Sequence, residues 1–135
     1  MHLVRRTALM AFTLGVVVWA CTDASTISAP TAGGTPTLSS LSPSSGRTGT
    51  TVVVRGTNFS PSGNHVHFGI GYVANLPSSD GTTLRFVVPD TLSPCQPDSP
   101  DPCATVLVRV TAGAYQVSVI SGGSASNATS FRVTE

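Results

Sequence analysis

Gly49-Thr50-Thr51-Val52-Val53-Val54-Arg55-Gly56-Thr57-Asn58-Phe59 decides the fold class. Alternation from Thr51 to Arg55 puts Val52 and Val54 on one face of an extended chain and Val53 and Arg55 on the other, with Val52 and Val54 expected in the core. Gly56 permits a tight bend. Phe59 is expected to tuck under the sheet end before Ser60-Pro61-Ser62-Gly63 turns the chain.

The same period of two recurs outward from this stretch. Upstream, Pro36 to Gly46 reads as a short strand ending in a proline and glycine turn. Downstream, Asn64 to Phe68 sends Val66 and Phe68 one way and His65 and His67 the other, towards solvent, and Tyr72 to Leu76 reads as a short edge strand. After the turn at Pro77 to Gly81, Thr82 to Val88 points Leu84, Phe86 and Val88 inward until Pro89 ends the strand. Ala104 to Thr111 is expected to present Val106, Val108 and Val110 to the core, with Leu107 and Arg109 outward. Tyr115 to Ile120 and Ser130 to Thr134 supply two more strands, the second with Phe131 and Val133 inward. No segment sustains a helical period. The pattern therefore predicts an all-β sandwich of about seven to eight antiparallel strands over residues 36–135.

The front of the chain has a different composition. Arg5 and Arg6 precede an apolar run from Ala8 to Ala20, which matches a signal peptide over residues 1–20 and falls short of the roughly 20 apolar residues of a spanning helix. Residues 21–35 are mostly Ser, Thr, Ala, Gly and Pro and read as a flexible tether. Val18-Trp19-Ala20-Cys21 resembles a bacterial lipoprotein signal, which implies cleavage before Cys21 and lipid attachment there. Thr22 stands where an aspartate would signal retention in the inner membrane, so the resemblance implies the outer membrane, facing the periplasm or the cell surface. The alternative is an ordinary secretory signal cut near Ala20 or Ala24. Cys95 and Cys103 flank Gln-Pro-Asp-Ser-Pro-Asp-Pro and are expected to form a structural disulfide in an oxidising compartment. Closing so short a loop stabilises by about 2.5 kcal/mol on the chain-entropy account.

Leu41-Ser42-Pro43-Ser44-Ser45-Gly46 followed by Gly49 to Phe59 resembles the opening of an IPT/TIG domain, the immunoglobulin-like module of plexins, some transcription factors and many bacterial surface proteins. The resemblance continues through Val66-His67-Phe68-Gly69, Thr83 to Pro89, Val106 to Val110, Ser126-Asn127 and Phe131-Arg132-Val133. Two segments depart from it: the proline-rich cysteine loop, and Tyr115 to Gly123, which reads as an extra segment before the last strand. The family has no shared catalytic residues, so the resemblance implies packing positions only.

Few charges remain to work with. All seven basic residues are arginine, and those after the signal (Arg47, Arg55, Arg85, Arg109 and Arg132) are balanced by six acidic residues, which leaves no basic face for nucleic acid. His65-Val66-His67 can chelate a metal from one strand face, but the chain supplies no further obvious ligand, and no cofactor is expected. Asp98 and Asp101 alternate with prolines as turn residues do. No serine lies in a Gly-x-Ser-x-Gly elbow. Val53, Leu107, Tyr72 and Tyr115, read as off the core, form the candidate binding face. The expected function is therefore a non-enzymatic envelope lipoprotein that carries a protein-interaction or assembly module. Surface polysaccharide binding through Tyr72 and Tyr115 is the alternative, and a small metal-assisted hydrolase using His65 and His67 is the third reading.

Overall fold

The computed structural model describes residues 34–103 and 106–135. The expected signal, the lipid site at Cys21 and the tether up to residue 33 lie outside the described residues. Among these there are eleven strands and no helix: β1 (Thr37–Ser42), β2 (Ser45–Gly46), β3 (Thr51–Thr57), β4 (Asn64–Phe68), β5 (Gly71–Leu76), β6 (Thr83–Val87), β7 (Thr91–Leu92), β8 (Val108–Arg109), β9 (Gly113–Ser121), β10 (Ser124–Ala125) and β11 (Thr129–Val133). Seven of them have five or more residues, in keeping with the seven or eight read from the sequence.

Two sheets enclose one core. The first runs β1-β3-β6; the second runs β2-β11-β9-β4-β5, with β10 folded back on β9. All pairings in them are antiparallel except β2 with β11. The chain leaves the first sheet after Ser42, passes the cis Ser42–Pro43 peptide and joins the second as β2. This distribution of strands is the immunoglobulin plan. Strand alternation fills the interior: Val52, Val54, Val66, Phe68, Leu84, Phe86, Val88, Phe131 and Val133 are all buried, and Phe59 closes the end of the core. Phe68 of the second sheet meets Phe86 of the first edge-on, with ring centroids 6.0 Å apart, and also contacts Phe131 and Tyr115 of its own sheet.

Two expectations from the sequence are corrected. Tyr115 to Gly123 is no extra segment: β9 is the longest strand and lies between β11 and β4 at the centre of the second sheet. The valine alternation from Val106 to Val110 does not make a core strand. Val106, Leu107 and Val108 are exposed, only Val110 is buried, and β8 pairs for two residues with β7. Period-two patterning predicts burial only where a neighbouring strand continues the pairing. Here the ladder ends after Leu92 and Val108.

Candidate functional site

His65 leaves β4 on the side away from the core, as the alternation requires, yet it is only 5% exposed. The cysteine loop folds down onto it. Cys95 and Cys103 are disulfide-bonded, and between them Asp98, in a left-handed conformation at φ 62°, brings Oδ2 to 2.9 Å from His65 Nε2. On the other side of the ring, the Asn75 N–H donates to Nδ1 at 3.3 Å. An Nδ1 that accepts leaves the proton on Nε2, so Nε2–H donates to the Asp98 carboxylate. The expectation of a solvent-facing histidine is thereby corrected, because a loop 33 residues away in sequence supplies the carboxylate.

Both ring nitrogens of His65 are thus engaged, whereas a histidine base needs one nitrogen turned to a nucleophile. Ser60, Ser62 and His65 do line one cleft of about 340 Å³ with Asp98, but the Ser60 hydroxyl lies 2.9 Å from that of Ser121. Beside it, fully buried Asn64 accepts from the Ser60 N–H and donates to the carbonyls of Ser60 and Leu76, tying the loop after β3 to the second sheet. His67 lies against the Tyr72 ring at 4.7 Å. No group of three or more His, Cys, Asp or Glu side chains converges among the described residues.

The four residues read as one binding face are not brought together. Tyr115 has the same parity in β9 as buried Val117 and Val119, stacks on Phe68 at 4.9 Å and packs against the core. Its hydroxyl donates to the Thr111 carbonyl and accepts the Thr111 N–H, which fixes the approach to β9 as a tyrosine corner does. It is therefore withdrawn from the binding face. The alternation Tyr115, Val117, Val119 carried that signal in the sequence. Tyr72 stays on the outer face of the second sheet, paired across with His67, while Val53 lies on the outer face of the first. Leu107 is exposed between Val106 and Val108, apart from both sheets.

What does assemble is a surface on the first sheet. In register across its outer face stand Ser42, Val53 and Arg85, then Ser40, Arg55 and Thr83, with Thr51 opposite Val87. Arg55 and Arg85 line a cleft of about 550 Å³ with Pro77, Ser79, Asp80 and Thr83, and among the described residues neither arginine has an ion-pair partner. Asp80 belongs to the turn instead. Its Oδ1 accepts from the backbone N–H groups of Thr82 and Thr83, both at 2.8 Å, and from the Ser78 hydroxyl at 3.2 Å. The Thr82 N–H, followed by the Thr83 side chain, holds this carboxyl well below the ordinary aspartate value. In the sequence Pro77 to Gly81 shows only a turn, and the two cations beside it come from Arg55 of β3 and Arg85 of β6, both outside that stretch of chain, with no local signal.

A family model described as IPT/TIG domain matches residues 36–133. No curated protein matches the chain.

Proposed function

The chain belongs to the IPT/TIG domain family, and from that premise we propose that it is a non-enzymatic, lipid-anchored module of the bacterial cell envelope that binds another protein. One observation carries the binding part: two arginines with no ion-pair partner among the described residues flank partly buried Val53 and exposed Val87 on the outer face of the first sheet. Cations next to apolar surface can be desolvated by a partner and pair with its carboxylates. The reading as a non-enzyme is supported by the engagement of both His65 nitrogens, which leaves that ring without a nucleophile to activate. Polysaccharide binding has less support, since Tyr115 is committed to the core and Tyr72 alone would stack on a sugar.

The anchor rests on the sequence Val18-Trp19-Ala20-Cys21. Fractionation of cells expressing Cys21→Ala tests it: the variant is expected in the soluble fraction with its domain folded, and firm retention in the membrane fraction would refute the lipid. Mass spectrometry of material crosslinked to the tagged full-length protein tests the binding part. A protein partner in near-equal amount is the expected result, and recovery of envelope polysaccharide alone would favour the carbohydrate reading.

A further inference from the structure

A sheet edge offers unpaired backbone groups to any passing strand, and folded proteins blunt such edges. Two sheets here have four. The β1 edge carries a register shift between Leu38 and Ser40. The β2 edge is two residues long. At the β5 edge, the pairing with β4 shifts between Asn64 and Val66, and the Tyr72 N–H is already bonded to the Ser93 carbonyl at 3.1 Å. The β6 edge has neither bulge nor shortening, and among the described residues only the Thr83 N–H of its outward donors is taken, by Asp80. Its pairing with β3 is regular from Thr83 to Val87, it contains neither proline nor lysine, no strand among the described residues covers its other side, and Val87 is 51% exposed.

Hydrogen-bond phase shows which groups face outward. The Val88 N–H bonds to the Thr50 carbonyl and the Thr82 carbonyl accepts from Gly56, so the even-numbered residues of this stretch serve β3. The backbone groups of Thr83, Arg85 and Val87 therefore point to the open side. Asp80 takes the Thr83 N–H, which leaves Arg85 and Val87 as the free donors. A second copy of the chain is a poor occupant: the antiparallel register that pairs all five residues sets Arg85 opposite Arg85, and like charges directly across a ladder repel.

We propose that β6 accepts an added strand from a different protein, an extended segment with an acidic side chain opposite Arg85 and beside Arg55. This rests on the interaction-module reading and specifies its surface: backbone pairing supplies affinity, and the two guanidinium groups select for a carboxylate.

The test uses the purified full-length protein and two blocked heptapeptides of alternating Thr and Val, one with a central Glu and one with a central Lys. Amide hydrogen exchange read by NMR is expected to show the Glu peptide protecting Arg85 and Val87, and the Lys peptide binding about tenfold more weakly. Arg85→Glu is expected to reverse that order, and Val87→Lys, which keeps Arg85, to weaken the Glu peptide without reversing it. Protection by neither peptide, or equal binding of both with no change in Arg85→Glu, would overturn the proposal. So would protection of Arg85 that rises with protein concentration in the absence of peptide, which would identify self-association. If the peptides fail while in-cell crosslinks from another face of the domain still capture one protein partner in near-equal amount, the module reading stands and the β6 edge alone falls.

Discussion

The edges formed by β5 and β6 begin alike, each a strand of five or six residues at the border of a sheet, and they are treated in opposite ways. At β5 the ladder bulges, Ser93 bonds to Tyr72, and the disulfide loop reaches over β4 to His65. At β6 the ladder is straight and pairs on one side only, next to two arginines that have no ion-pair partner among the described residues. Both edges hang on the same interior, so the closed edge is no requirement of the fold. Covering β5 took an elaborated loop held by a disulfide and a buried histidine, whereas leaving β6 open took only the absence of any such element.

Because the interior is common to both edges, Phe68→Ala is expected to have the largest effect. It removes the ring that joins Phe86, Phe131 and Tyr115, at a cost of about 3–5 kcal/mol. Urea unfolding should show one cooperative transition moved far down; loss of only one sheet would break the claim that the two share a core. Next comes the Cys95→Ser/Cys103→Ser pair, with about 2.5 kcal/mol lost. Its sharper reading is local: the Tyr72 amide should exchange faster while the Val88 amide, bonded to Thr50, follows only the global change. Equal acceleration at both would erase the distinction between the edges.

Smaller effects probe the turns that lead into each sheet. Tyr115→Phe keeps the stacking on Phe68 and loses the hydroxyl bonds to Thr111, for about 1 kcal/mol by thermal or urea unfolding. The smallest effect concerns Asp80, whose carboxyl is depressed in the folded protein. A depressed carboxyl stabilises above its unfolded value, and that contribution fades as pH falls from the ordinary aspartate value near 3.8 through the folded one. Asp80→Asn should therefore be slightly less stable than the parent at neutral pH, with the gap closing in acid. A gap that widened on acidification would contradict the turn geometry.

Much of this architecture was legible in the chain because it is local. Alternation identified Val52, Val54, Val66, Phe68, Leu84, Phe86, Val88, Phe131 and Val133 as interior, and each is buried. The spacing of short alternating strands and their turns predicted the sandwich, in agreement with the family match over residues 36–133. The sequence failed where a distant segment decides the outcome: Asp98 reaching His65 turned a supposed surface histidine into a buried one, and the end of the β7–β8 ladder left Val106 and Val108 outside. The surface proposed for binding was the least legible part, since Arg55 and Arg85 become neighbours only through the β3–β6 register. Val53 was read correctly as outward. Its companions were not the tyrosines but the arginines.

On the proposed reading, protein binds at the open edge and not at the covered one. The most direct measurement is photo-crosslinking in cells from the full-length protein, with the reactive group placed in turn at Val87 and at exposed Ala74 of β5. Adducts are expected from position 87, mapped to an extended acidic segment of one partner, and none from position 74. Adducts from position 74 alone, or from neither position, would contradict that reading.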